Sequence, residues 1–286
     1  MNGFLFIDKP KDWTSRDVCN RLQHLFHEKK VGHTGTLDPF ATGLLIVCFG
    51  NATKTIPLLE DADKEYLAEL TLGTKTATGD LTGEVIETQK IGDISISQIK
   101  AVLVSLIGEM DQIPPMTSAV HVNGRKLYTY HYQGQEIERK PRKITIKSCE
   151  LLSFSQNTII FKCRVSKGTY LRTLGETIAE KLETVGYLSN LRRLKIADFD
   201  VRDSSTLENV KLESLLSLTD VLTRYVPFII VDDRQAQKVK NGMEITIENI
   251  LPKYDKIMVM NEKRKCLAIY YRLSGSLFKC QRGLVS

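Results

Sequence analysis

The 286-residue chain carries 40 lysine and arginine residues against 34 aspartate and glutamate residues, and this net charge of +6 indicates no particular partner by itself. Its length allows one large domain and one small one, and it contains neither an apolar run of about eighteen residues that could span a bilayer nor an N-terminal signal peptide, so we expect a cytoplasmic protein. No CxxC or Cys/His ligand set occurs, so we expect free and mostly buried thiols at Cys19, Cys48, Cys149, Cys163, Cys266 and Cys280.

The first part of the chain predicts strands and helices in alternation. Residues 3–8 are typical of a strand, and Ser15 is the expected N-cap of a helix that follows. The residues 64–73, KEYLAELTLG, alternate in the manner of a half-buried strand. The apolar positions that recur at helical spacing are Val18, Leu22, Leu25 and Phe26 in the first helix, and Ile99, Val102, Leu103, Leu106 and Ile107 in a second helix over residues 97–107.

The second part continues with a strand over residues 158–166 and a helix after Gly168. Strands and helices without a strict βαβ rhythm predict an α+β fold with a mixed sheet. Near residue 228 the pattern changes to one short helix, which ends at Gly242, followed by short strands. We therefore expect a domain boundary between residues 227 and 228.

A basic segment interrupts this pattern. Arg125 and Lys126 mix with tyrosines in GRKLYTYHY, and five basic residues follow within nine positions that contain no acid: Arg139, Lys140, Arg142, Lys143 and Lys147. Basic side chains neutralise phosphates and aromatic rings stack on bases, which suits RNA. A solvated surface hairpin explains the same residues equally well.

The loop GHTGTLDPFATGLL, residues 32–45, surrounds one acid, Asp38, with glycines. The spacing excludes a P-loop and a GxGxxG fingerprint. Metal binding is not indicated either, since His33 is the only histidine near Asp38. Pro39 favours an extended backbone at Asp38, and Gly35 and Gly43 allow a close approach to a ligand. A catalytic carboxylate and a plain Asp-Pro turn both remain open at this point.

This loop resembles the catalytic loop of the TruB family of tRNA pseudouridine synthases. Further blocks similar to that family follow in order along nearly the whole chain: DKPKDWTS (8–15), KEYLAELTLG (64–73), TATGDLTGE (76–84), PPMTSAVHVNGRKLY (114–128), SKGTYLRTL (166–174) and LSNLRRLKIADF (188–199). The residues after about 228 resemble a PUA domain, a small RNA-binding barrel. The resemblance implies a mixed, mainly antiparallel sheet in a catalytic domain of residues 1–227, an inserted RNA-gripping hairpin at 114–147, and a PUA-like domain at 228–286.

The resemblance also implies a reaction. Such enzymes detach a uracil from C1′ of its ribose, turn it and rejoin it through C5, with no cofactor or metal. Asp38 would be the nucleophile or ion stabiliser. Arg172 would hold this carboxylate ionised and aimed, with Asp80 as a further contact of the arginine. Tyr66 would stack on the target uracil and help to remove the C5 proton.

Other positions receive roles from the same resemblance. Tyr170 and Leu191 would pack around the flipped nucleotide, and His33 would fill the gap that the extruded bases leave in the RNA. Lys9 would bind phosphate or support the local structure. Arg125 and Lys126 would contact the RNA from the inserted segment. This chain departs from the family at His131-Tyr132, where Ala-Arg is usual, and at Thr76-Ala77-Thr78, where Thr-Asp-Thr is frequent; both changes concern the strength of RNA contact.

The leading hypothesis is therefore a monomeric isomerase, without an obligate protein partner or membrane association, that makes pseudouridine at position 55 in the TΨC stem-loop of tRNA. A guide-RNA-dependent pseudouridine synthase is the second enzyme hypothesis, but it would need protein partners. A tRNA-folding chaperone that binds without catalysis belongs to another class, and this activity can coexist with the first. The joint presence of Asp38, Tyr66 and Arg172 favours the enzyme.

Overall fold

The computed structural model describes residues 1–118, 120–122, 124–131, 133–248 and 254–284. The strands, in chain order, are β1 (Gly3–Lys9), β2 (Val31–His33), β3 (Thr42–Phe49), β4 (Lys64–Leu72), β5 (Thr74–Thr76), β6 (Val85–Thr88), β7 (Gly108–Gln112), β8 (His121–Val122), β9 (Arg125–Lys126), β10 (Arg142–Ser155), β11 (Thr158–Val165), β12 (Gly186–Ile196), β13 (Phe199–Asp200), β14 (Phe228–Val231), β15 (Ile245–Thr246), β16 (Lys256–Asn261), β17 (Cys266–Ser274) and β18 (Leu277–Gly283). The α-helices are α1 (Ser15–Leu25), α2 (Ile56–Glu60), α3 (Ile96–Ser105), α4 (Leu127–His131), α5 (Leu171–Lys181), α6 (Leu218–Leu222) and α7 (Asp233–Lys240).

Two compact units make up the described chain. The first contains Met1–Asp38, Leu44–Glu60 and Ala197–Ser286, and the second contains Pro39–Gly43 and Asp61–Ile196. The chain thus passes from the first unit to the second directly after Asp38.

The second unit is organised around an antiparallel sheet in the order β12-β4-β11-β10-β7. In β4 every second side chain is buried, as the alternating sequence predicts. The strand predicted over residues 158–166 is β11, which alternates in the same way. The helix α5 packs on β12 and β4, and Gly175 of α5 allows this because a Cβ there would lie only 3.1 Å from the Leu188 side chain. The helix α3 covers β10, but it ends at Ser105, earlier than the predicted residue 107.

The first unit begins with β1 and α1. The N-cap of α1 is Thr14, not the predicted Ser15: the Thr14 hydroxyl accepts from the Asp17 N–H, and the Asp17 carboxylate accepts from the Thr14 N–H, each at 3.0 Å. Buried Val18 and Leu22 of α1 join an apolar core with residues of β1 and β3. Leu25, which we expected on this apolar face, is instead exposed.

The same unit carries the sheet predicted at the end of the chain, in the order β14-β16-β17-β18-β15. The helix α7 precedes β15; Asp232 caps its first turn, and Gly242 follows its end with φ +71°. Apolar side chains of α7 and the strands form a separate buried cluster in this part of the unit, which includes Val239, Val259 and Phe278. Residues 249–253 and 285–286 of the predicted PUA-like domain lie outside the described residues.

The fold class predicted from the sequence is confirmed: helices and mixed sheets occur together, and most strand pairs are antiparallel. The pairs β3–β12 and β14–β16 are parallel. All six cysteines are free thiols; five are buried and Cys280 is half-buried. In the described part of the chain, none of the helices has the length and apolar content needed to cross a bilayer.

Candidate active site

His33 lies on β2, where the Asp38 loop begins. β2 pairs with β3 so that His33 is opposite Val47, and the N–H of the next residue, Thr34, donates to the Ile46 carbonyl at 3.0 Å. The start of the loop is therefore held by strand pairing, and His33 is half-buried there.

The backbone on each side of Asp38 is held in place by contacts with other elements. The Ser15 hydroxyl donates to the Leu37 carbonyl at 3.2 Å and accepts from the Leu37 N–H at 2.9 Å. On the other side, Gly43 has φ +105° and lies opposite Arg193 in the parallel pair of β3 and β12. A Cβ at Gly43 would lie 2.3 Å from the Arg193 carbonyl oxygen. Only glycine combines this φ with so close an approach. Asp38 itself is half-buried.

Lys9 is fully buried at the end of β1. Its ammonium group donates to the carbonyl oxygens of Pro10 at 2.9 Å and Trp13 at 2.6 Å. The sequence leaves phosphate binding and local structural support open for this residue. The burial and the two carbonyl acceptors favour structural support, because a fully buried side chain presents no surface to a phosphate.

Tyr66 and Leu191 lie on one face of the sheet in the second unit. Between β4 and β12, Tyr66 pairs with Arg193 and Ala68 pairs with Leu191, so Tyr66 and Leu191 are diagonal neighbours. Both side chains are buried. On its other side Tyr66 is opposite Cys163 of β11.

Arg172 and Asp80 form a buried ion pair in the same unit. Nη1 of Arg172 lies 3.6 Å from Oδ2 of Asp80. The other carboxylate oxygen, Oδ1, accepts from the Thr78 hydroxyl at 2.8 Å, the Thr82 N–H at 2.9 Å and the Thr82 hydroxyl at 2.5 Å. The contact between arginine and aspartate that the resemblance implies is therefore present.

Two threonines accept hydrogen bonds from the Arg172 guanidinium. Nη1 donates to the Thr78 carbonyl at 2.9 Å and also to the Thr117 hydroxyl, and Nη2 donates to the Thr117 carbonyl at 3.1 Å. The buried cation is thus bound by neutral acceptors as well as by a carboxylate, as a buried charge requires.

Tyr170 is the N-cap residue of α5 and is half-buried. Its backbone is held by the buried Gln112 at the end of β7: the Tyr170 N–H donates to Oε1 at 2.8 Å, and Nε2 donates to the Tyr170 carbonyl at 3.1 Å. The side chain of Gln112 therefore acts like a strand partner for the start of α5.

The inserted segment contains the short antiparallel pair β8–β9, in which Val122 is opposite Arg125 and His121 is opposite Lys126. Arg125 is exposed. Nζ of Lys126 lies 5.5 Å from the ring centre of Tyr128, a cation–π contact. Of the two positions that depart from the family as His131-Tyr132, Tyr132 lies outside the described residues.

Three basic side chains of residues 139–147 are paired with carboxylates, one from just before this run and two from elsewhere in the second unit. The pairs are Arg139 with Glu136 at 3.3 Å, Lys143 with Glu109 at 3.7 Å and Lys147 with Asp63 at 2.6 Å. Moreover, Arg142, Lys143 and Lys147 belong to β10 of the main sheet. Part of the positive charge of this run is therefore neutralised by neighbouring carboxylates in the folded protein.

An open cleft of about 600 Å³ borders Arg172. Its lining includes Lys75, Thr117, Arg139 and Glu176. Burial raises the pKa of the Glu176 carboxyl above its ordinary value, while the positive charges of Lys75, Arg172 and Arg139 oppose this rise. Among the described residues, no group of three or more His, Cys, Asp or Glu side chains is placed to hold a metal ion.

Comparison with known proteins identifies the family. The model of the TruB family pseudouridylate synthase N-terminal domain matches residues 23–171. A tRNA pseudouridine synthase B of Bacillus cytotoxicus is 42% identical, over 94% of this chain and 92% of its own. This chain belongs to the TruB family of pseudouridylate synthases. A tRNA pseudouridine synthase B of Neisseria gonorrhoeae is 39% identical over 94% of this chain and 90% of its own.

As a member of the TruB family, the chain is an isomerase. Its fold is also similar to that in the crystal structure of a Cbf5-Nop10-Gar1 complex, with a TM-score of 0.76 and 21% sequence identity, over 99% of this chain and 85% of the other. This likeness extends across both units of the TruB-family chain and supports the fold alone.

Sequence reasoning did not find Gln112, Thr117 or Glu176 of this TruB-family enzyme. Thr117 is part of the block PPMTSAVHVNGRKLY, whose resemblance to the family implies no role for this residue. Gln112 ends a short strand, GEMDQ, in which most residues are polar and so give no apolar alternation in the sequence, and Glu176 lies among other charged residues of α5. None of the three has a sequence signal that distinguishes it from an ordinary surface residue.

Proposed function

We propose that this protein converts uridine into pseudouridine at position 55 in the TΨC loop of tRNA. The observation that supports the substrate is the match along 94% of the chain to relatives named tRNA pseudouridine synthase B. The reaction class follows from the family. The position within tRNA follows from the resemblance of the Asp38 loop and the blocks around it.

In the proposed reaction the bond between N1 of uracil and C1′ breaks and a bond between C5 and C1′ forms. The proton on C5 leaves, and N1 gains one, so the product is an isomer and no oxidant, reductant or added group is required. The carboxylate of Asp38 acts as the nucleophile or stabilises the developing positive charge. The loop suits this role because its backbone is fixed on both sides while Asp38 retains partial exposure.

Arg172 supplies the cation that keeps the reacting carboxylate ionised and aimed, and Asp80 balances the arginine charge. The buried ion pair and the threonine acceptors support this role, because they orient a guanidinium that otherwise has several rotatable bonds. Tyr66 stacks on the target uracil and assists removal of the C5 proton, and Leu191, its neighbour on the sheet, packs against the flipped nucleotide together with Tyr170.

RNA binding is proposed for the remaining groups. Arg125 and Lys126 contact phosphates from the inserted segment, and His33 fills the space of the extruded bases. The residues 228–286 form a PUA-like domain that holds the outer part of the tRNA. Their separate buried cluster supports this division. We further propose that the protein acts in the cytoplasm as a monomer without an obligate protein partner; its free thiols fit a reducing compartment.

The test is direct. The purified protein is incubated with an unmodified tRNA transcript, and pseudouridine is mapped by position. We expect product at position 55 and no product in a transcript whose uridine 55 is replaced by cytidine. Folded protein that makes no pseudouridine at this position would overturn the proposal.

A further inference from the structure

Thr117 binds the Arg172 guanidinium through two different atoms. Its hydroxyl oxygen accepts from Nη1, and its carbonyl oxygen accepts from Nη2 at 3.1 Å. A planar guanidinium that is held at both terminal nitrogens cannot turn about the Cδ–Nε bond without breaking one of these hydrogen bonds. Thr78 contributes a single carbonyl, at 2.9 Å from Nη1.

Asp80 is less suited to fix the direction of the guanidinium. Its Oδ2 lies 3.6 Å from Nη1, which is longer than a hydrogen bond, although the two charges attract at this distance. Its Oδ1 is occupied by Thr78 and Thr82. Charge balance and orientation are therefore divided: Asp80 compensates the charge, and the threonine oxygens set the direction.

Thr117 also lies at the base of the inserted segment. The N–H of Tyr128 in α4 donates to the carbonyl of Ser118, next to Thr117, at 3.1 Å. From the far end of the segment, Nη1 of Arg139 donates to the Pro114 carbonyl at 3.2 Å. The chain around Thr117 is thus bonded to the same segment that carries Arg125, Lys126 and Tyr128.

We propose that Thr117 is a positioning residue that orients Arg172 through its hydroxyl and connects that orientation to the inserted segment. The proposal rests on the proposed function. When the inserted segment binds RNA, Thr117 would then hold the guanidinium of Arg172 in the orientation that the reaction needs. Thr117 itself touches neither the substrate nor the reacting atoms. Loss of the hydroxyl should therefore slow the chemical step and leave RNA affinity unchanged.

The experiment compares Thr117→Val, Thr117→Ser and wild type in full-length protein. Valine has nearly the same shape as threonine but cannot accept a hydrogen bond, whereas serine can. We expect the single-turnover rate on tRNA to fall about tenfold in Thr117→Val, in line with the loss of one charge-assisted hydrogen bond, with the Kd for tRNA within about twofold of wild type. Thr117→Ser should recover most of the rate.

Thr177→Val is the matched control. Thr177 lies on the same helix as Arg172, is half-buried, and its hydroxyl donates to the Thr173 carbonyl of its own helix at 3.0 Å. The Thr177→Val variant should therefore keep the wild-type single-turnover rate. Thermal unfolding checks that every variant is folded, and Thr117→Ala replaces Thr117→Val if valine unfolds the protein. A wild-type rate in Thr117→Val, or in the Thr117→Ala variant that replaces it, would overturn the inference. So would an equal loss of rate in Thr117→Ser, or a loss of tRNA affinity that matches the loss of rate. An inactive wild type would instead contradict the proposed function.

Discussion

The Gln112 side chain donates to the carbonyl of Tyr170 and accepts from its N–H, at 3.1 and 2.8 Å, across 58 residues of sequence. This pair of bonds joins the end of β7 to the start of α5 and so fixes the turn that precedes Arg172. The start of the helix is therefore positioned from outside the helix, since Tyr170 makes no side-chain cap of its own.

Gln112→Leu should destabilise the protein by about 1 kcal/mol, because the Tyr170 N–H loses its acceptor in a partly buried position, while the Tyr170 carbonyl still accepts from the Leu174 N–H at 3.0 Å. We also expect a lower kcat, since the turn before Arg172 loosens. Urea unfolding and single-turnover kinetics measure the two effects. The control is Gln89→Leu, an exposed glutamine on the same unit, which should change neither quantity. Equal unfolding midpoints for the two variants would show that the bonds to Tyr170 contribute nothing.

Asp38→Asn should abolish turnover and leave tRNA binding within several-fold of wild type. The amide keeps the shape of the side chain but loses the nucleophilic charge, while binding depends on many phosphate contacts. Mapping of pseudouridine after a single turnover, together with a filter-binding assay, checks both parts. Appreciable product from this variant would remove Asp38 from its proposed role.

Arg172→Lys should be nearly as harmful as Asp38→Asn. Lysine retains the charge but presents one nitrogen, whereas the arginine uses Nη1 for Thr78 and Nη2 for Thr117. The kcat on tRNA is the measurement, with the free energy of unfolding determined in parallel. Activity close to wild type would mean that charge alone suffices at this position.

Local features of the strands and helices are the part of the fold that the sequence predicts well. Alternation in residues 64–73 correctly predicts which side chains of β4 are buried, because the strand period is a local property. The sequence predicts the N-cap of α1 one residue too late, because Thr14 and Ser15 are both good caps. Only their different partners, the Asp17 N–H and the Leu37 N–H, distinguish them.

Sequence patterns do not predict which residues that are distant in the chain form hydrogen bonds or ion pairs with each other. The carboxylate that pairs with Lys147 is Asp63, on a segment far from the basic run, and the acceptors of Arg172 come from Thr78 and Thr117. A period indicates which face is buried but not which residue lies opposite. The Asp80 contact was expected only because the family resemblance carries three-dimensional information.

Glu176 should make the protein less stable as the pH rises. Burial raises the pKa of its carboxyl in the folded state above the ordinary value of 4.5, so folding favours the protonated form. The stability it contributes is present below pH 4.5 and is lost as the pH rises through the folded pKa. Glu176→Gln should therefore gain stability relative to wild type across this rise. Urea unfolding between pH 4 and 8 tests this, with Glu84→Gln, at an exposed position of the same unit, as the control. A difference between wild type and Glu176→Gln that does not change with pH would contradict the argument.

Removal of residues 227–286 tests the proposed PUA-like domain. The terminal sheet has its own buried cluster, but it is also bonded to the rest of its unit: Nζ of Lys54 donates to the Gly283 carbonyl at 2.7 Å, and the Thr219 hydroxyl donates to the Arg264 carbonyl at 3.0 Å. Both bonds are exposed, and each is worth about 1 kcal/mol, so we expect a truncation ending at Val226 to remain folded. Its KM on full tRNA should rise, whereas its KM on a minimal TΨC stem-loop should change little, because that RNA lacks the outer stem. Circular dichroism provides the control for folding.

If the truncated chain unfolds, or if kcat falls by the same factor on both RNAs, the terminal residues belong to the catalytic body and the boundary at residue 227 is wrong.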